Sequence, residues 1–294
     1  MHIFLRAIGF SKILTKAQEV RLLENMLLSP PHGGPQRERH EHTYAQLDCY
    51  IGRGMGVILH GYRKPEDGTF VLEHYYPYME PLAVSIQDGG YIRRHSDKEA
   101  YAVLCEDYKL GSALIFYLTN SLEYRERNDE GQPCRFDSYS LTGLSVKGTV
   151  LLPIQKTERQ IAKINANIAN RNRMLEAART GDEEAMENLT LDDINIYGQI
   201  SRRMLHEDIY SIVDTCFMPT GVECDNYMVI GEILEVETLK NLWTDEKVYR
   251  LLIECNGMKL TIGIHSEDLL GEPLPGRRFK GDIWLQGQGH FAEE

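Results

Sequence analysis

The sequence predicts an α+β protein in three parts. An N-terminal helix with an antiparallel sheet occupies residues 1–150, a helical hairpin 151–221, and a small β-barrel of OB-like type 222–294. Three observations predict this. Strand-turn-strand patterns recur from Val57 to about Val150. Apolar residues then follow a three- and four-residue spacing from Ile161 to Ile212. Beyond Gly221, four or five short alternating segments fit a small closed or partly closed barrel.

The first element expected is a helix over 13–28, with Val20, Leu23 and Leu27 on its apolar face. The Pro- and Gly-rich run 29–35 ends it, and the charged residues 37–42 read as a solvated loop. Residues 54–62 and 70–76 flank the turn Lys64-Pro65-Glu66-Asp67-Gly68. There Pro65 supplies the φ of a type I turn and Gly68 tolerates the left-handed position. Residues 82–87 with Tyr91-Ile92, around Asp88-Gly89-Gly90, read as a second hairpin. Residues 114–124 with 136–144, around the polar stretch 125–133, read as a third. Serial hairpins imply antiparallel pairing rather than a doubly wound parallel sheet.

In the middle part Ile161, Ile164, Ile168, Leu175 and Ala178 form one stripe, interrupted by Arg171 and ended by Gly181. Thr190 and Asp193 match a capping box ahead of a second stripe: Ile194, Tyr197, Met204, Leu205, Ile209 and Ile212. The register is sharpest near the C-terminus. Asn256-Gly257 suits a two-residue type I′ turn, which pairs Cys255 with Met258, Ile253 with Leu260, Leu251 with Ile262 and Tyr249 with Ile264. All four pairs share one face, so turn chemistry and hydrophobic pattern agree. Residues 229–236 and 278–285 supply further strands.

Composition bounds the function. The chain has 294 residues, 42% of them hydrophobic and 26% charged, enough for a large core. Its formal net charge of −12 argues against a strongly basic nucleic-acid or membrane-surface binder. Residues 219–294 hold 14 acidic and 7 basic groups, the most acidic stretch. No stretch approaches the roughly 20 apolar residues of a spanning helix, and Arg6 breaks the short apolar start, so no signal peptide is read. The expected location is the cytosol. The six cysteines form no C-x-x-C pair and read as reduced, mostly buried thiols.

Several segments carry a resemblance. They are Ala177-Ala178-Arg179-Thr180-Gly181-Asp182-Glu183-Glu184-Ala185, Thr190-Leu191-Asp192-Asp193-Ile194, Ile200-Ser201-Arg202-Arg203, residues 212–219 and 221–225, and the opening Phe4-Leu5-Arg6-Ala7-Ile8-Gly9-Phe10. Together they resemble a bacterial family described only as a domain of unknown function. The resemblance runs the whole chain and implies no activity, substrate or catalytic residue.

Candidate sites are few. His40-Glu41-His42, with His32 nearby, is the densest ligand-like cluster, but no third ligand is aligned with it and an exposed loop is expected instead. Gly52-Arg53-Gly54-Met55-Gly56 opens onto a strand, whereas a phosphate loop opens onto a helix. His206-Glu207-Asp208 are adjacent on a helix and point apart. Tyr75-Tyr76-Pro77-Tyr78 reads as strand tyrosines before an aromatic surface. Arg277-Arg278-Phe279-Lys280 and Trp284 would give the barrel a basic tip with an aromatic, as single-strand binders have, in an acidic surround that repels phosphates. Arg277, Phe279 and Trp284 are therefore expected at a protein contact, with ordinary core positions for Phe279 and Trp284 as the competing reading.

No cofactor, structural metal or disulfide is expected. The function expected is a non-catalytic cytosolic binding or regulatory protein, acting on a protein partner or as a homo-oligomer. The alternatives are an enzyme whose site converges from distant residues, and single-stranded nucleic-acid binding through the barrel.

Overall fold

A computed structural model describes residues 2–28, 38–41, 44–87, 90–94, 101–107, 112–129, 131, 135–154, 158–220 and 225–292. A 3-10 segment, Ile3–Ile8, precedes α1 (Lys16–Leu28). Four strands follow: β1 (Glu38–Glu41), β2 (Tyr44–Gly52), β3 (Met55–Arg63) and β4 (Phe70–Met79). Next come β5 (Tyr91–Arg94), β6 (Tyr101–Asp107), β7 (Ser112–Leu118), α2 (Ser121–Asp129) and the long β8 (Phe136–Leu151). The helices α3 (Glu158–Arg179), α4 (Glu183–Arg203) and α5 (Ile209–Ile212) lead to β9 (Cys216–Pro219) and β10 (Asn226–Lys240). The chain finishes with β11 (Lys247–Cys255), β12 (Met258–His265), β13 (Leu269–Leu270) and β14 (Arg278–Phe291).

The first four strands form an antiparallel sheet in chain order. The other ten form one mixed sheet, ordered β13-β8-β12-β11-β10-β14-β7-β6-β5, with β9 on the far side of β10. Within it β14 also pairs with β8, so the pairings β8-β12-β11-β10-β14 return to their starting strand. The Asn256-Gly257 turn sets the β11–β12 register. Both residues have positive φ, +52° and +79°, and all four cross-strand pairs expected from the sequence occur.

The strand at which the ring closes, β8, precedes the helical segment in the chain. It pairs with β14 along one edge and, at Thr142–Ser145, with β12 along the other. Strands from both sides of the helical segment thus share one sheet. Side chains crowd β8 there: a Cβ on Gly148 would lie 2.6 Å from the Phe279 ring.

Two apolar cores result. One is built from the ring strands and β5–β7, with Phe116, Tyr139, Leu251, Ile262, Phe279 and Ile283. The other lies between α1, the four-stranded sheet and the outer side of the ring, with Leu5, Ile8, Met26, Val57, Tyr76, Leu144 and Trp284.

The structure differs from the sequence reading in several places. Residues 38–41, read as part of a solvated loop, form β1 and pair with β2. Helix α4 ends at Arg203, so Met204 to Asp208 lie between it and α5 rather than on one continuous helix. Helix α1 starts at Lys16 and buries Glu19, Leu22, Leu23 and Met26, while Val20 is 41% exposed. The Glu19 carboxylate accepts the His2 backbone N–H at 3.0 Å and the Tyr75 hydroxyl on one oxygen and pairs with Lys16 at 2.7 Å on the other, which together satisfy a buried charge. Residues 82–87 contribute only the single bridge Ile86–Tyr139, and β5 pairs with β6 instead. The third expected hairpin is a strand, a helix and a strand: β7 stops at Leu118, α2 follows, and β7 joins β6 and β14. Finally, β12 and β13 run parallel to β8, and β14 runs parallel to β7, so the large sheet is mixed rather than antiparallel.

Candidate interaction surface

The three residues expected at a contact differ in exposure. Phe279 is fully buried. Trp284 is 7% exposed, donates its indole N–H to Asp225 at 2.7 Å, and stacks on Phe4 at 5.6 Å between centroids. Only Arg277 reaches solvent, and it donates to the Glu272 carbonyl at 2.7 Å. The basic tip does something else. Arg278, only 4% exposed, donates to the carbonyls of Leu152 (3.0 Å), Tyr210 (2.7 Å) and Val213 (2.8 Å). Burial lowers its pKa, and the carbonyls replace the lost water. Lys280 lies 4.1 Å from the centre of the Tyr210 ring and hydrogen-bonds the Tyr210 hydroxyl. One guanidinium therefore clips together the two ends of the segment that carries α3 and α4. Sequence spacing gave no sign of this, because the acceptors are backbone atoms 64–126 residues away.

The clipped segment is a helical hairpin. Gly181 (φ +92°) ends the first helix, and the Asp182 carboxylate caps the second by accepting from Ala185 N at 3.1 Å. Thr190, expected at the cap, instead donates to the Met186 carbonyl inside α4 at 2.9 Å. Among the described side chains of α4, Ala185 and Leu189 are buried, and Arg171 of α3 bridges Asp193 at 2.8 Å.

At 100° per residue, Leu191 and Ile194 fall on the side of α4 opposite Ala185 and Leu189. They are 51% and 62% exposed, and Met186 and Met204 are also exposed. Gly198 lies on that outer side, and a Cβ there would meet nothing within 4 Å. Glycine inside a helix costs about 1 kcal/mol relative to alanine, so this position has no reason within the hairpin. Charge is divided as well: α3 has five basic and two acidic residues, and α4 has five acidic and two basic.

Among the described residues a histidine pair lies elsewhere, with its ring nitrogens buried. Gln46, His60 and His74 pair in register across β2, β3 and β4. The two imidazoles stack at 4.5 Å, and Tyr76 stacks on His60 at 5.5 Å. His60 has no exposed surface, and its pKa is pushed down to about 3 by burial, then by His74 and Arg125. This arrangement holds a neutral imidazole in the interior.

The remaining motifs serve the fold. Gly52–Gly56 spans the β2–β3 turn and opens onto a strand, with Gly54 (φ +64°) under the Arg250 guanidinium. Arg250 in turn pairs with Glu237 at 2.7 Å. Glu207 pairs with Arg203, and Asp208 caps α5 by accepting from Tyr210 N at 2.9 Å. Tyr75 points to Glu19 while Tyr76 donates to the Thr119 carbonyl, so the tyrosine run divides between two faces. The side chains of His32, His40 and His42 lie outside the described residues. Among the described residues no group of three or more His, Cys, Asp or Glu is placed to hold a metal ion.

The sequence model of one protein family matches residues 5–287, from the first turn into the last strand. The chain belongs to DUF3881. That family is described as a domain of unknown function and is named from E. rectale, a bacterium. No curated protein and no solved structure matches the chain. The DUF3881 match takes in both sheets, the hairpin and its Arg278 clip, so the hairpin belongs to the family's common span. No helix among the described residues is long and apolar enough to cross a membrane.

Proposed function

We propose that this chain is a non-catalytic cytosolic binding or regulatory protein that acts through protein contact, with the α3–α4 hairpin as its contact element. One observation carries the reading. A hairpin clipped at its base by Arg278 exposes Leu191 and Ile194 on the side of α4 turned away from its own core. Apolar side chains at helical spacing on an outward face are what helix-mediated recognition uses. The ring β8-β12-β11-β10-β14 is read as a small OB-like barrel that carries this element.

The competing classes have less support. The cluster best equipped for acid–base chemistry has His60 at 0% and Tyr76 at 2% exposure. Base stacking on the barrel would need the Trp284 ring, which is packed against Phe4 and Tyr117. The test is in-cell crosslinking of the full chain against its Leu191→Asp/Ile194→Asp variant. Loss of specific crosslinked proteins, self included, is expected. An unchanged set overturns the contact role, and turnover of a small molecule by the purified chain overturns the non-catalytic part.

A further inference from the structure

We infer that the outer face of α4 is a self-complementary docking surface for a second copy of this chain, packed antiparallel about a two-fold axis between Ile194 and Asn195. The inference rests on the protein-contact reading above and names the partner.

Glu187, Leu191, Ile194, Gly198 and Arg202 follow one another at spacings of four, three, four and four residues, so they form a single stripe. None of the stripe is buried. An antiparallel copy reads the stripe in reverse. With the axis between residues 194 and 195, Glu187 falls opposite Arg202, Leu191 opposite Gly198, and the two Ile194 side chains flank the axis. Each match occurs twice, as a two-fold interface requires. Opposite charges close both ends of the apolar centre. The Gly198 position, open where a Cβ would stand, receives the partner's Leu191 and lets the backbones come close. This gives the helix-interior glycine a purpose that the single chain does not supply. A parallel copy would set Glu187 on Glu187 and Arg202 on Arg202, so charge also selects the direction.

Sedimentation equilibrium of the full chain at low ionic strength, where exposed ion pairs are least screened, tests this. The wild-type chain is expected to be a concentration-dependent dimer. Glu187→Arg and Arg202→Glu each place like charges at both ends and should raise the dissociation constant about tenfold or more. An equimolar mixture of the two variants restores opposite charges at both ends and should recover a heterodimer. The double variant E187R/R202E should recover a homodimer. Gly198→Leu fills the gap and should abolish pairing while far-UV circular dichroism stays helical.

A wild-type monomer at all concentrations overturns the inference. So does a dimer indifferent to the single charge changes, or one that the mixture fails to restore. A monomer whose crosslinks to a different protein still depend on Leu191 and Ile194 would overturn the self-association and leave the proposed function standing. A monomer with no such crosslinks would remove both.

Discussion

At the scale of the residue, His60 sets folding against protonation. Its pKa is about 3 in the folded chain, against an ordinary value near 6.5, because burial disfavours the cation and His74 and Arg125 add to that. The unfolded chain therefore takes up the proton first. This contribution to stability is full above about pH 6.5 and is lost as pH falls toward 3, at about 1.4 kcal/mol per unit. Urea unfolding at pH 5 should show about 2 kcal/mol less stability than at pH 7 from this group. His60→Phe, which keeps a ring against His74 and Tyr76, should flatten that dependence; an equal loss in both proteins would refute it. Arg278 is the other residue on which much depends. Arg278→Met leaves the carbonyls of Leu152, Tyr210 and Val213 without their donor in a buried place and should cost about 2–4 kcal/mol. Thermal unfolding measures the loss, and limited proteolysis should show faster cleavage at the two ends of the hairpin segment.

At the scale of the element, the start of α4 separates two assignments. Asp182→Ala removes the observed cap and should cost about 1 kcal/mol, whereas Thr190→Ala, mid-helix, should change stability by less than about 0.5 kcal/mol. The reverse ranking in chemical denaturation would restore the cap to Thr190. The misreading has a physical source: Thr190 and Asp193 satisfy the motif, but Glu183 to Leu189 are good helix formers and extend the helix past it. Legibility follows range. The β11–β12 hairpin was readable to the residue because its turn chemistry and alternation are local. In α2 the pattern splits, with Ser121 to Tyr124 reading as the end of a strand and Arg125 to Asp129 as a turn, because a helix with so weak an apolar face shows no period. The burial of Glu19 is only half legible in its neighbours: Lys16 one turn earlier is a local ion-pair partner, but His2 and Tyr75, which take its other oxygen, are remote in sequence. Ile194 belongs to the period legible in the sequence and Leu191 does not, because a period does not tell which side of a helix is covered.

At the scale of the whole molecule, α+β content and the central hairpin were legible, while the joining of the parts was not. Strand β8 reads as the end of an N-terminal sheet because its alternation says nothing of which edges it will meet. Its partners β12 and β14 begin more than a hundred residues later. A chain ending at Gly276 lacks β14 and should show no cooperative unfolding, although it retains every other strand and all the helices. A sharp thermal transition in that truncation would mean that β8, β10 and β7 hold together without the strand they share.

The same dependence sets a timetable for synthesis. Nascent chain emerges at about 5–20 residues per second, so β8 waits roughly 6–30 s for β14. The α3–α4 hairpin, whose contacts are local, needs only microseconds. During that interval a sixteen-residue strand has an unpaired edge, the kind of template on which other chains assemble. Slowing elongation over residues 152–277 should therefore raise the aggregated fraction, and lowering the temperature of expression should not rescue it if translation slows equally. Comparing soluble yield from synonymous fast- and slow-codon versions of that stretch would measure how long the open edge is tolerated.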